Sequence, residues 1–343
     1  MRTVLDPHLA DPSGREPGLV VEVRDHRRAL LFDLAETARL ASRTLLRATH
    51  AFVTHAHMDH FAGFDHWLAT GLGRMPAMTV WGGPGFCEQV EHKLRAYTWN
   101  VVHRYSVPLV IVVHALEADG TRRGARFDSR QAFERQDLPP APATGDVLLD
   151  EPLLRVRARI VDHEMPVLAC AIEESAQLRV AADRVAAMGL ATGPWLQALK
   201  AAVLAGAPDD DPLTVRWRDA AGARERSFRV GELRHLVLDT TPGRRIGYVT
   251  DLRFTPANLL QLDALLGGVD LLYIECVFAE SDRALARQRN HLTARQAGSI
   301  ARRLGARKLV PFHFSPRYAD SEDDLREQAF AAWRGDVEPD LPY

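Results

Sequence analysis

One short run restricts this chain more than any other: Thr54-His55-Ala56-His57-Met58-Asp59-His60. Imidazoles and a carboxylate crowd together directly after the apolar run 51–54. Protonated imidazoles repel one another, so crowding costs stability unless something offsets it. Metal binding does, and neutral imidazole is the commonest metal ligand. The spacing has its own logic. With a strand ending at Thr54 and a tight turn after it, His55 and His57 face one ion while Asp59 and His60 face a second.

The rest of the chain alternates strands and helices around that run. Leu19–Val23 and 29–33 are apolar runs about a charged turn, the pattern of a hairpin. The period of 35–46 predicts a helix, 78–81 a strand closed by Gly82-Gly83-Pro84-Gly85, and 86–97 a second helix. The run 153–161 alternates and ends just before Asp162-His163. Three further apolar strands follow at 246–250, Leu271–Glu275 and Leu309–Phe312. Each carries a polar or ionisable residue at its C-terminal end, where layered α/β proteins keep their chemistry. The proline-rich 137–146 reads as a loop. Segment 177–241 holds a helical piece, the acidic Asp209-Asp210-Asp211 and an arginine-rich stretch. It reads either as an insertion projecting from the core or as a solvated surface excursion.

Composition excludes several classes. The hydrophobic fraction is 46% and the charged fraction 26%, which a disordered, collagen-like or coiled-coil chain does not show. The formal net charge of −2 excludes a uniformly basic clamp for nucleic acid but allows a local basic patch. Cys87, Cys170 and Cys276 are too scattered for a disulfide framework or a thiolate zinc site. No apolar run reaches the roughly 18 residues of a membrane span, and the N-terminus has no signal-peptide core. The expectation is a cytoplasmic protein with no membrane partner.

The histidine run resembles the H-x-H-x-D-H motif of the metallo-β-lactamase superfamily. Later in the chain, and in that superfamily's order, stand His163, Asp251 and His313, each at a strand end. The C-terminal third is similar to ribonuclease Z. His313-Phe314-Ser315-Pro316-Arg317-Tyr318 matches H-F-S-x-R-Y, and Ile274-Glu275-Cys276-Val277-Phe278-Ala279 resembles an H-E-A-T-F segment. His291-Leu292-Thr293-Ala294-Arg295-Gln296-Ala297 resembles H-S-T-x-x-x-A. Met188-Gly189-Leu190-Ala191-Thr192-Gly193-Pro194 resembles the family's arm stretch, and Pro242-Gly243-Arg244 its lead-in to the aspartate strand. The chain departs from the family at its N-terminus, which lacks F-L-G-T-x-x-x-x-P. It departs again at Asp33-Leu34-Ala35-Glu36-Thr37, where a D-C-G-E-G-T segment has lost both glycines.

The resemblance implies a four-layer αββα sandwich over 1–343, a single domain with an inserted arm at about 177–241. It implies two divalent metal ions. His55, His57 and His163 hold one, Asp59, His60 and His313 the other, and Asp251 bridges them. Nitrogen and oxygen ligands suit Zn²⁺ and tolerate Mn²⁺ or Fe²⁺. Asp59 is then also the candidate general base, and Glu275 and His291 the candidate acid pair. Ser315 and Arg317 are candidate phosphate ligands. His66, His103 and His114 read as surface or satisfied core histidines. Three functions stay open at this point. The first is a phosphodiester hydrolase of the ribonuclease Z type, acting on pre-tRNA as a homodimer. The second is a hydrolase of a small phosphodiester, cyclic nucleotide or sulfate ester. The third is an inactive nucleic-acid-binding scaffold.

Overall fold

The computed structural model describes residues 4–142, 145–219, 222–340 and 342. The chain divides into two compact units. One is built from Met1–Asp150, Arg155–Glu173 and Arg245–Tyr343, the other from Glu151–Leu154 and Glu174–Arg244.

The larger unit is organised by two mixed sheets. The first has eight strands in sequence order: Leu5–Leu9, Leu19–Val23, Arg28–Phe32, Ala48–Phe52, Ala77–Gly82, Val110–Leu116, Thr121–Asp128 and Arg135–Pro142. The second runs Leu309–Phe312, Leu271–Glu275, Arg245–Val249, Pro166–Glu174, Leu154–Asp162 and Val147–Asp150. The central parallel strand Leu271–Glu275 is buried along its whole length, because both faces of its sheet are covered.

Alternation splits these strands between two apolar layers. On the first sheet, Ala29, Leu31, Ala51, Val53 and Val80 pack under helices Phe64–Gly71 and Phe86–Arg95 through Phe64, Trp67, Phe86 and Val90. On the second, Val167, Ala169, Leu272 and Ile274 pack under helices Pro256–Leu266, Ala294–Arg303 and Glu322–Arg334. The opposite parity faces inward. Phe32 and Phe52 stack at 4.8 Å, Phe32 meets Tyr248 at 6.1 Å, and Tyr248 stacks on Phe312 at 5.2 Å. The order is therefore helix, sheet, sheet, helix. The helices start where the sequence says they can. Thr255 caps one with Pro256 in its first turn, and Thr293 with Gln296 forms a capping box at another.

Two local expectations fail. Residues 35–46 are not one helix. They form a 3₁₀ turn Thr37–Arg39 and a single turn Ser42–Leu45, with Leu40 and Ala41 extended between them. Tertiary contacts override the period. The Thr37 hydroxyl donates to the Gly63 carbonyl, and the Gly63 amide donates to the Leu34 carbonyl, so this segment is spaced against the histidine turn. Of the loop expected at 137–146, residues 143 and 144 lie outside the described residues, and Arg135–Pro142 is a strand. It is an edge strand with a register irregularity opposite Arg122 and Gly124, the setting in which a sheet tolerates proline.

The smaller unit has its own core of Val185, Trp195, Leu199, Val215, Phe228 and Leu233. It pairs Gln177–Val180 with Leu238–Thr241, and Pro212–Asp219 with Gly222–Arg229. Within the 177–241 stretch, residues 220 and 221 lie outside the described residues.

Candidate metal centre

The parallel strands of both sheets carry the site at their C-terminal ends. Arg28–Phe32 leads into Asp33, Ala48–Phe52 into Thr54 and the histidine turn, Arg245–Val249 into Asp251, and Leu309–Phe312 into His313. Asp33, Asp251 and His313 each take a left-handed backbone just past their strand, with φ of 56°, 51° and 59°. Asp and His are among the residues that tolerate it, and such strain gathers at functional sites. Asp251 and His313 thereby reach the cleft wall, whereas the Asp33 side chain stays buried beneath His60.

The turn His57 to His60 is the start of a short helix, Met58–Phe61. His55 and His57 come together with His163 and Asp251, with one ligand atom of each lying within 4.8 Å of the others. Asp59, His60 and His313 form a second such group. Asp251 connects them. Its Oδ2 lies 3.5 Å from His55 Nε2 and 3.6 Å from His163 Nε2, whereas its Oδ1 lies 3.4 Å from His60 Nε2 and 3.1 Å from His313 Nδ1. Asp59 Oδ2 stands 3.5 Å from both His60 Nε2 and His313 Nε2.

These residues fit metal ions. Nε2 of His55 and of His60 are buried without a hydrogen-bond partner, which is costly for imidazole nitrogens unless a cation takes them. Bonds of about 2.0–2.2 Å place the donors of one ion within about 4.4 Å of each other, close to the spread seen here.

Outer partners hold the rings of His55, His60, His163 and His313. His60 Nδ1 is 2.8 Å from Asp33 Oδ2, His55 Nδ1 is 3.1 Å from Thr54 Oγ1, and His163 Nδ1 donates to the Asn290 carbonyl at 2.9 Å. The Thr250 hydroxyl donates to Asp251 Oδ1 at 2.6 Å and lies 3.2 Å from His313 Nδ1. Asp33 also accepts from the Thr54 amide, the Thr54 hydroxyl and the Tyr248 hydroxyl, so the buried carboxylate joins both sheets under His60. Asn258 ties the His163 turn to the Asp251 loop by accepting from the Asp162 amide and donating to the Asp162 and Arg253 carbonyls. Such partners set tautomer and aim.

Electrostatics separate the two groups. Burial, with His60 nearby, pushes the His55 imidazole down to about 2, and burial also lowers His57. Burial opposes charge on His60 and His313 as well. There the Asp251 carboxylate wins, raising His60 well above its ordinary value and His313 to about 10. Burial would raise the Asp59 carboxyl, but His313 and His60 beside it hold it well below the usual carboxylate range.

Next to the cluster, His291 Nδ1 is 2.7 Å from Glu275 Oε2, while Glu275 Oε1 accepts from the Leu252 amide. Burial opposes charge on His291, and the Glu275 carboxylate overrides it, so its imidazole is raised above the ordinary value. A cleft of about 940 Å³ opens over the cluster, with Asp59, His163, Asp251, His291 and His313 in its wall. Ser315 also lines it. Arg317 is exposed two residues further on and is not among the lining residues. His114 stacks on Trp81 and His66 lies 3.2 Å from Thr37 Oγ1, both apart from the cluster.

Sequence reasoning missed Asp33, Thr54, Tyr248, Thr250, Asn258 and Asn290. Asp33 had a signal, an acid at the end of an apolar strand, and Thr54 and Thr250 each stand next to a ligand in the sequence. Tyr248, Asn258 and Asn290 act through contacts between segments far apart in the chain.

This sandwich and this His/Asp cluster define a protein of the metallo-β-lactamase superfamily. The family described as a beta-lactamase superfamily domain matches residues 177–314. The chain is 34% identical to ribonuclease Z of Deinococcus radiodurans over 285 residues, covering 82% of this chain and 80% of that one. It is 28% identical to ribonuclease Z of Thermobifida fusca over 342 residues, covering 97% and 90%. Among solved structures, the short form of human tRNase Z superposes with a TM-score of 0.51 at 16% identity, over 91% of this chain and 90% of that one. The chain belongs to the ribonuclease Z family. No helix among the described residues is long and apolar enough to cross a membrane.

Proposed function

We propose that the protein is a metal-dependent phosphodiesterase that cuts RNA, and that its substrate is an unprocessed tRNA cleaved at its 3′ end. One observation supports this most. Asp251 offers one oxygen to each histidine group in the same cleft in which Glu275 backs His291. A site that must both stabilise a phosphorane-like transition state and release a ribose oxygen needs both halves. The relatives named ribonuclease Z favour RNA over other phosphodiesters.

In this reading His55, His57 and His163 hold one divalent ion, Asp59, His60 and His313 a second, and Asp251 serves both. Zn²⁺ suits these ligands, and Mn²⁺ or Fe²⁺ is accepted. Bound ions supply Lewis acidity at a phosphoryl oxygen and acidify water. The chain's own groups do the rest. Asp59 orients the attacking water and takes its proton. Glu275 holds Nδ1 of His291, leaving Nε2 to hand a proton to the departing ribose oxygen. Ser315 on the cleft wall binds a phosphate oxygen, and Arg317 contacts RNA beyond it. A homodimer belongs to the same reading.

Purified protein supplied with Zn²⁺ or Mn²⁺ and given unprocessed tRNA beside bis(p-nitrophenyl) phosphate tests this. Cleavage at the tRNA 3′ end supports it. Hydrolysis of the aryl diester alone would assign a small diester as substrate. Hydrolysis of neither, with metal bound, would point to a binding scaffold.

A further inference from the structure

Three arginines line the cleft, and they are not equivalent. Arg15 pairs with Glu322, and Arg39 pairs with Glu36 and with Asp11 at 3.2 Å. Asp11 is itself consumed by the amides of Ser13, Arg15 and Glu16. Arg289 also lines the cleft, is exposed, and has no carboxylate partner among the described residues. Its backbone is nevertheless stiffly held. The Arg289 amide donates to the Leu285 carbonyl and the His291 amide to the Ala286 carbonyl. The Asn290 carbonyl accepts from His163 and its side-chain amide donates to Glu164 at 2.8 Å. A loop tied at every residue, carrying one cation left without an anion, presents that cation to something from outside.

We propose that Arg289 binds a phosphate of the RNA next to the scissile one, and so selects a polynucleotide over a single phosphodiester. The inference rests on the phosphodiesterase reading above. His291 addresses the scissile linkage, and Arg289 stands two residues away, within about 7 Å along the chain. His291 already serves the reacting linkage, so the Arg289 guanidinium on the same cleft wall is assigned to the neighbouring one. A guanidinium grips phosphate oxygens with two parallel bonds and releases condensed counterions as it does so. The contact therefore carries a salt signature that a structural role lacks.

The test follows binding of fluorescein-labelled unprocessed tRNA to the full metal-loaded protein by stopped-flow anisotropy, before turnover, at several salt concentrations. One lost phosphate contact lowers the slope of log affinity against log salt by about 0.7 for a single strand. For Arg289→Ala the loss relative to wild type should then be ~2.6-fold greater at 50 mM than at 200 mM salt. Arg289→Lys keeps the charge and should keep the slope. Arg334→Ala, which removes an exposed arginine paired with Glu327 and Asp336, should leave it unchanged. An Arg289→Ala slope equal to that of wild type would overturn the proposal, as would a wild-type protein that does not bind the RNA. Failure of the phosphodiesterase reading shows separately, as metal-loaded wild type that hydrolyses neither tRNA nor the aryl diester.

Discussion

Glu275 and His291 are joined at 2.7 Å, with the second oxygen of the carboxylate pinned by the Leu252 amide at 3.0 Å. The carboxylate therefore cannot swing away, and the imidazole keeps one orientation. A ribose oxygen needs a proton as it leaves, whereas p-nitrophenolate departs unaided. His291→Ala should lose on the order of 10²–10⁴ in rate on RNA, the usual worth of a positioned acid, and much less on the aryl diester. Equal losses on both substrates with unchanged metal content would make His291 a structural or substrate-binding residue.

The same pair predicts a pH profile. Glu275 raises the His291 imidazole above its ordinary value, so the acid form persists above about pH 6.5. The rate on RNA should fall on the alkaline side only as pH passes that raised value. Stability follows the same sign. The pair contributes fully below the unfolded-state value and its contribution is lost as pH rises through the folded one. Glu275→Gln removes the anion, so the alkaline limb should move to lower pH. A limb that stays in place would mean another group controls it.

Asp251 divides its oxygens between the two histidine groups, so its loss should be felt by both. Elemental analysis should find about two ions per chain in the wild type. His60→Ala or His313→Ala should remove mainly one, and Asp251→Ala should disturb both. A single ion that survives Asp251→Ala would defeat the two-ion reading.

Tyr248 and His60 share Oδ2 of Asp33, at 2.9 and 2.8 Å. The two donors hold that oxygen in place under His60. Tyr248→Phe should weaken metal binding, but by less than the roughly 10-fold or more expected on losing Asp33, the partner directly behind the histidine. Chelator competition measures this. Combined with Asp33→Asn, it should add little further loss, because Tyr248 acts through Asp33. Additive effects would show that it does not.

How far the sequence could be read follows from what each residue does. His55, His57, Asp59 and His60 were legible as one crowded run, and His163, Asp251 and His313 because each ends a strand and falls in the order of the superfamily's ligands. Asp33 lies in the same kind of place, but its function depends on Tyr248, 215 residues away. No local pattern encodes that distance. Arg289 sits among other arginines of its segment, and only the cleft distinguishes it. The helix expected at 35–46 failed for a related reason. Its period is real, yet Thr37 and Leu34 spend their hydrogen bonds on Gly63.

That contact gives the last prediction. The Gly63 amide donates to the Leu34 carbonyl at 2.6 Å, and the Leu34 amide donates to the His60 carbonyl at 2.7 Å. The strand end carrying Asp33 and the turn carrying His60 thus meet backbone to backbone. A Cβ at Gly63 would lie 2.5 Å from the Ala35 carbonyl oxygen and 2.6 Å from that of Leu34. Gly63 has an ordinary helical φ of −70°, so backbone freedom is not what requires it. Gly63 is the N-cap of helix Phe64–Gly71, a position where alanine is disfavoured relative to glycine, so helix propensity offers no compensation. Separating two main chains costs about 1–3 kcal/mol for overpacking of this kind. Gly63→Ala should therefore lower the denaturant midpoint rather than raise it. The separation should also loosen His60 against Asp33, so metal affinity should fall in the same variant. A midpoint at or above the wild-type value would show that the turn has room the present contacts deny it.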